Sequence, residues 1–429
     1  MKNYISGKFN LKSYETSLRN EILAGITAFF ATAYIIVVNA SILSDSGISL
    51  YGAAISTAIA CAFSCILIGM YSNSPLIIIT GMGENIFFSY TVILSLGLTW
   101  QEGMGVVFVS GVIFTLITFT PFPKVLVRSI PASLKNSIIV GIGFFVTFIG
   151  LQKGRIIVGN ENSLVSLGNL SDTSVLLTLG TLFLVVILHY YKVQGGFLIS
   201  IIISTISSLL LGLTKIDFSF NIFDQAGDYL PLLAAFSFSD FISINFWIAV
   251  LSLTLMIVFQ NLGAIQGLQS DNERFDRTYQ ASGISNIFAG LIGTSSTVVA
   301  VESAVGIAAG AKTGLSSVVT GIGFVFSLAF LPFIGVVPDS AIAPLLIIVG
   351  SFMLSNIKNI DFSDMTEYFP SFLIIILTPL TFNIADGMAF GFISYPILKV
   401  LSGKARELNV TMVIIGMLFL VNYILLLLI

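Results

Sequence analysis

The chain has 429 residues, of which 56% are hydrophobic and only 9% charged. Soluble domains run at about 25% charged residues because water must wet their surface, so a soluble class is excluded and most of this surface faces lipid. The formal net charge of −3 points to no particular partner.

The amino end, MKNYISGKFNLKSYETSLRNE, is polar and basic and has neither an apolar core nor a small-residue cleavage site. Residues 1–21 are therefore expected to form a cytoplasmic segment ahead of the first span. Apolar runs then mark spans near 22–38, 51–71, 76–96, 101–121, 136–152, 174–192 and 195–213. Cys61 and Cys65, four apart on one face of the second span, suit neither a disulfide nor a metal and are expected to pack as small apolar residues. His189, beside Tyr190 and Lys192 at the end of a span, is expected at the membrane interface. A wetter extracellular connection occupies 214–243.

A second set of spans follows near 244–268, 279–293, 296–310, 313–335, 341–356, 366–384 and 386–402. The stretch DNERFDRTYQ, Asp271 to Gln280, is expected to be a solvated cytoplasmic loop, and Asp386 in IADGMAFG to cap the helix that follows it. The carboxy-terminal segment 403–429 carries one more apolar run at 410–429, which either crosses the membrane or lies along it. With the amino end in the cytoplasm, fifteen of the eighteen Lys and Arg residues fall on the cytoplasmic side, leaving Lys153, Arg155 and Lys215 outside. That bias supports both the orientation and the parity of the spans.

The chain thus predicts an all-α polytopic membrane protein with fourteen transmembrane segments. Residues 22–213 and 244–402 form two sets of seven, an odd number that makes the halves an inverted repeat. The third span of each half is unusual. NSPLIIITGMGENIFFSY and GTSSTVVAVESAVGIAAG each open with a β-branched run, Ile77–Thr80 or Thr297–Val301, and then reach a carboxylate, Glu84 or Glu302. Nine residues from Glu302 to Gly310 span about 13 Å as helix, and five extended residues about 16 Å. Together they cross one bilayer with Glu302 near its middle. Each segment is therefore half strand and half helix, and two inverted copies bring two short antiparallel strands and two helix amino ends together at mid-depth. Irregular backbone is tolerated there only inside protein or beside a wet cavity.

A buried ionisable group in a membrane is costly, so Glu302 is read as a ligand or proton group. The alternative is a structural cap of its own helix, although Ser303 or Thr297 could cap at lower desolvation cost. For Glu84, set among Gly81 and Gly83, both readings stand. With no cation in the predicted midplane, anionic cargo is disfavoured. No metal-ligand cluster and no nucleophile–base set marks an enzyme.

At these residues the sequence resembles the nucleobase–cation symporters, in their adenine/guanine/hypoxanthine permease branch. The likeness covers nearly the whole chain. It is carried by FFATAYIIVVNASILSDSGI at 29–48, GMGENIFFSYTV at 81–92, IPASLKNSIIVGIGFFVTFIGLQ at 130–152, VESAVGIAAGAKTGLSSVVTG at 301–321 and LTPLTFNIADGMAFGFISY at 377–395. The resemblance implies a core domain of spans 1–4 and 8–11 and a gate domain of spans 5–7 and 12–14. It further implies proton-coupled uptake of a purine base at the interface between those domains, in the cell membrane. Its binding residues correspond to Asn85 and Glu302, with backbone of both strands contributing, so Val301 and Ser303 join the expected substrate site. The expected partners are a purine base, the lipid bilayer and a homodimer mate, with no nucleic acid and no cofactor beyond the proton.

One departure stands out. Where this branch reads an acidic residue in the eighth span, FQNLGAIQG places Gln260 and then Asn261. Conversely, Glu84 occupies a position that is usually apolar. Two readings follow: a relocated acid, with Glu84 supplying the charge or proton the eighth span lacks, or drift to a less charged mode of binding. Gln260 and Asn85 each offer a donor and an acceptor to a base edge, while Asn261 and Gln266 are expected to serve helix contacts. A xanthine- or uracil-type transporter is the near rival, and an inorganic-anion transporter of the same plan the distant one.

Overall fold

The computed structural model describes residues 6–120, 130–160, 163–215, 227–269 and 272–426. Lys2, Lys124, Arg128, Asp271 and residues 216–226 of the predicted connection lie outside the described residues. Among the described residues, nine helical stretches are long and apolar enough to cross a membrane. They begin with α1 (Leu18–Thr32) continued by α2 (Ile35–Ser44), α3 (Leu50–Ser72), α5 (Trp100–Thr118), α6 (Ala132–Lys153) and α7 (Thr173–Tyr190). They continue with α9 (Ile244–Leu268), α12 (Gly314–Ser327), α13 (Asp339–Met353) and α15 (Ile384–Leu401), of which α12 and α13 each run on into a 3₁₀ stretch.

The five other predicted spans fall on shorter or more polar elements. These are α8 (Gly196–Leu210), α10 (Asn272–Ile292), α14 (Met365–Leu380) and two interrupted segments. The first interrupted segment is β1 (Ile78–Thr80), α4 (Met82–Ile86) and a π-helix over Phe87–Ser95; the second is β4 (Thr297–Val299) and α11 (Ser303–Ala308). Helix α16 (Val410–Leu426) closes the chain.

The helices pack in two groups. In one, α1 to α5 and α9 to α12 surround the strand pair, with α3 against α12 and α5 against α10. In the other, α6 lies against α13 and α14, α7 against α8 and α13, and α14 against α15. Small residues set the close approaches, as expected where apolar burial offers no drive between helices in lipid. Gly69 of α3 faces the Gly314 carbonyl of α12, a Cβ on Gly111 would sit 2.8 Å from the Asn286 carbonyl carbon of α10, and one on Gly143 of α6 2.8 Å from the Gly350 carbonyl of α13.

Strands β1 and β4 pair antiparallel, with Ile78 opposite Val299 and Thr80 opposite Thr297. All six residues are buried, so every peptide group on the outer edges needs a protein partner. Asn286 of α10 supplies two: its Oδ1 accepts from the Thr297 N–H at 3.0 Å and its Nδ2 donates to the Thr297 carbonyl at 2.8 Å. Asn261 of α9 accepts from the Val299 N–H at 3.0 Å. On the other edge Cys65 donates to the Ile78 carbonyl at 3.2 Å, and at the end of the ladder Ser303 accepts from the Ile77 N–H at 2.9 Å.

Several sequence expectations change at this level. The strands are Ile78–Thr80 and Thr297–Val299, shorter than the β-branched runs, because Ile77 and Val301 fall just past the ends of the ladder. The predicted loop at 271–280 is helix from Asn272, with Thr278 and Tyr279 buried against the bundle, so its charges mark one end of α10. Asn261 holds a strand edge rather than another helix, and Cys65 donates a weak bond besides packing. Asn383, not Asp386, caps α15, accepting from the Ala385 and Asp386 N–H groups; Asp386 instead accepts from the Tyr423 hydroxyl of α16 at 2.9 Å. A hairpin, β2 (Ile157–Asn160) with β3 (Leu164–Leu167), lies in the connection after α6 and was not expected.

Asn286→Ala leaves the N–H and carbonyl of Thr297 unpaired in a buried setting, a cost of about 2–4 kcal/mol. The expected outcome is a clear fall in unfolding temperature for the purified protein in detergent. Ser110→Ala, which removes a single bond to the Val250 carbonyl, is the comparison and is expected to change it little.

Candidate functional site

The interrupted segments place the chemistry. After Thr80 the chain turns at Gly81 and enters α4, carrying Glu84 and Asn85; after Val299 it turns through Ala300 and Val301 and enters α11 at Glu302. Because the strands run antiparallel, the two acids leave the pair at opposite ends. The Gly81 N–H donates to the Ser296 carbonyl at one end, and the Ala300 N–H to the Ile77 carbonyl at the other. Four residue steps of strand separate those ends, about 13 Å.

Glu302 sits half-buried at the N-cap position of α11, yet its side chain makes no capping bond. Oε1 instead accepts from the Tyr34 hydroxyl at 2.6 Å, and no other hydrogen bond to the Glu302 side chain forms among the described residues. The carboxylate is therefore an oriented acceptor with capacity to spare. Ser303, fully buried, is committed: it accepts from Ile77 and donates to the Ala300 carbonyl at 2.6 Å, tying α11 to β1. Val301 is 71% exposed, beside Glu302 and away from the packed core.

At the other end Glu84 is wholly buried, and neither carboxylate oxygen has a hydrogen-bond partner among the described residues. The acid folds back over Gly81, whose missing side chain makes the room: a Cβ there would collide with Oε2. Gln260 of α9 reaches the same end, with Nε2 3.2 Å from where a Gly83 Cβ would lie and with no partner among the described residues. Ile142 of α6 covers the same glycine, so the α4 end faces the second helix group. Asn85 accepts from the Ser295 hydroxyl while its Nδ2 stays unpartnered. Four of the predicted residues thus divide into Glu84, Asn85 and Gln260 at one end of the strand pair and Glu302 at the other. Gln266 is exposed on α9 and joins neither.

The sequence reading missed Tyr34, which sits between α1 and α2 with 1% exposure. Its signal was a hydroxyl-bearing aromatic among the small and aliphatic residues of ATAYIIVV. Two clefts, of about 280 and 310 Å³, open elsewhere, around Asp339. No residue of the strand pair lines either of them, and Glu84 and Asn85 are fully buried. His189 is exposed at the end of α7, its ring 4.7 Å from that of Phe352. Among the described residues no group of His, Cys, Asp and Glu is arranged to hold a metal.

Comparison with known proteins agrees with this architecture. Solved structures share the fold at low identity: the transmembrane domain of a cyanobacterium bicarbonate transporter, BicA, has a TM-score of 0.61 at 15% identity, covering 86% of this chain and 97% of that one. The transporter SLC26A9 has a TM-score of 0.65 at 11% identity, covering 90% and 66%. The nucleobase transporter PlAzg2 of Paenibacillus larvae is 41% identical, across 88% of this chain and 76% of that protein. The guanine/hypoxanthine permease PbuO of Bacillus subtilis is 34% identical, across 96% and 99%, and the adenine permease AdeP of Escherichia coli 32%, across 96% and 94%. With residues 19–390 matching the Permease family (Xan_ur_permease), this chain belongs to that family of membrane transporters.

Proposed function

We propose that the chain is a permease that carries a purine base, hypoxanthine, guanine or adenine, across the cell membrane by alternating access with a proton as coupling ion. The observation that carries the reading is Glu302 at the end of the buried strand pair. It is an acceptor held on one oxygen by Tyr34, in a chain whose relatives are named for adenine and for guanine/hypoxanthine. A purine is apolar on its faces with N–H donors on its rim, so it suits a carboxylate acceptor such as Glu302 between apolar walls, while the Asn85 and Gln260 amides lie at the other end of the strand pair, about 13 Å away. The bicarbonate transporter shares only the fold. The acids gathered at this strand pair repel anions.

The packing supports a fourteen-span, seven-plus-seven inverted repeat. If the halves are related by a two-fold axis, α3 corresponds to α10 and α5 to α12. The α3–α12 and α5–α10 contacts are then one contact made twice. The same operation exchanges α6–α14 with α13–α7, and β1 with β4 across their antiparallel pair. The group around the strands is then the core and the other group the gate, with residues 1–21 cytoplasmic and the base bound where the groups face each other. A homodimer is compatible with this plan.

The relocated-acid reading is favoured by position. Glu84 and Gln260 converge on one end of the strand pair, one beside Gly81 and the other beside Gly83. A carboxylate on α4 therefore occupies the region that an acid on α9 would reach. A fully buried acid without a partner is a natural proton carrier, because its charge is costly until something neutralises it.

Uptake of radiolabelled hypoxanthine into cells expressing the chain, challenged with adenine, guanine, xanthine, uracil and sulfate, tests the reading. Competition by the purines and none by sulfate is expected; competition by uracil or xanthine alone would reassign the substrate. Glu302→Gln is expected to weaken uptake by about 10- to 100-fold at normal membrane levels, since bonds to a charged acceptor contribute about 1.5–3 kcal/mol. Unchanged kinetics in that variant retire Glu302 from the site. Glu84→Leu is expected to cut transport strongly, and adding Gln260→Asp to restore a measurable part of it. Normal transport by Glu84→Leu at every pH would end the relocated-acid account.

A further inference from the structure

The site's acid is aimed by a residue that neither the motifs nor the relatives' names single out. Tyr34 lies at the junction of α1 and α2, 1% exposed, and its hydroxyl donates to Glu302 Oε1 at 2.6 Å. The ring stands edge-on to Phe197 of α8, with centroids 5.0 Å apart and planes at 88°. Phe197 belongs to the second helix group, so one side chain touches the site acid and the opposing group at once. Glu302 needs such a guide. It leaves the strand pair through an irregular turn, does not cap its own short helix, and has a flexible side chain that is half-buried.

We propose that Tyr34 is a positioning residue for Glu302: its hydroxyl fixes the carboxylate as an acceptor aimed at the base, and the Phe197 edge contact fixes the hydroxyl. A tyrosine O–H is one donor on a rigid ring with few rotamers, so it can hold one oxygen in place and leave the other to a base N–H. Placing the second support on the opposing helix group links the aim of the acid to the approach of the two groups. When Phe197 moves away, the ring loses its edge contact and the carboxylate its fixed orientation, so the base is held firmly only where the groups are close. This inference rests on the purine reading above.

The test is initial-rate uptake of hypoxanthine by the full chain, with membrane level measured for each variant. Tyr34→Phe keeps the ring and its contact with Phe197 but removes the donor. It is expected to raise KM about tenfold while Vmax per membrane-embedded protein stays within about twofold, the size of one bond to a charged acceptor. Phe197→Ala keeps the hydroxyl and is expected to raise KM about threefold, an effect that disappears once Tyr34→Phe is already present. An unchanged KM in Tyr34→Phe overturns the proposal while leaving the transport reading intact. So does a loss confined to Vmax or membrane level, which is the mark of a structural tyrosine. If Tyr34→Phe fails to reach the membrane, Phe197→Ala decides alone, and an unchanged KM there overturns it. Absence of purine uptake by the unaltered chain would remove the transport reading and this proposal together.

Discussion

Two three-residue strands that meet inside a membrane protein expose, on their outer edges, peptide groups that neither water nor a helix ladder can satisfy. Everything near the site follows from how those groups are paired. Asn286 and Asn261 hold the β4 edge, Cys65 the β1 edge and Ser303 the end of the ladder, and Ser317 donates to the Ser74 and Leu76 carbonyls just before β1 at 2.8 Å each. Each of these side chains comes from a helix beside the pair, so satisfying the backbone also fixes α3, α9, α10, α11 and α12 around it. An unmet polar group in such surroundings costs several kcal/mol, which makes this short sheet a strong organiser despite its size.

The same arrangement explains where polar atoms are left over. Backbone demands absorb Asn286, Asn261 and Ser303, whereas Glu84, the Asn85 amide nitrogen and the Gln260 amide nitrogen are buried with no partner among the described residues. Buried polar groups are satisfied in the great majority of proteins, so this gathering, to which the Thr80, Ser296 and Thr297 hydroxyls at the same end add, marks a place prepared for something else. At the other end Glu302 is half open and held by one bond. The strand pair thus separates a closed acidic end from an accessible one, and the π-helix after α4 adds an irregularity of a kind often found at functional sites.

Much of this was legible in the residues because lipid imposes simple rules. Long apolar runs located most spans, and the abrupt change from Ile77–Thr80 to glycine and acid in span 3 announced a break, as did its counterpart before Glu302. The limits are physical too. A β-branched run shows that a strand is favoured but not where its partner stops, and pairing with a strand over two hundred residues away trimmed both ends. Asp271–Gln280 reads as a loop because its charges outweigh its period, yet Thr278 and Tyr279 are helix core. The alternation in IIVGN and LVSLG around an Asn-rich turn was a usable hairpin signal. Tyr34 stood out only as a hydroxyl among aliphatic residues; its partner, an acid 268 residues on, was not readable from that stretch.

The two helix groups differ from their shared boundary in what holds them. Within a group, glycines bring backbones into contact, as at Gly69 with Gly314 and Gly143 with Gly350, and such interfaces have no slack. Across the boundary run Tyr34 on Phe197, Tyr90 on Phe145, Ile142 on Gly83, a buried bond from the Ile384 N–H to the Thr91 hydroxyl at 3.2 Å, and an ion pair of Lys153 of α6 with Asp45 at 2.8 Å, Lys153 also lying 3.6 Å from Asp339 of its own group. Tyr90 of the strand-side group donates to the same Asp45 at 2.6 Å. Lys153 is one of the few basic residues that the charge map left on the wrong side, and the cluster gives it local partners that offset that placement. The carboxylate of Asp45 is 30% exposed and that of Asp339 59%, so water screens the cluster and its contribution is about 1 kcal/mol or less per pair. The boundary is made of ring edges, aliphatic cover, one buried hydrogen bond and a wet ion pair, whereas the groups behind it are joined by direct backbone contact at glycines. That difference is what two bodies need if they are to move past each other as units.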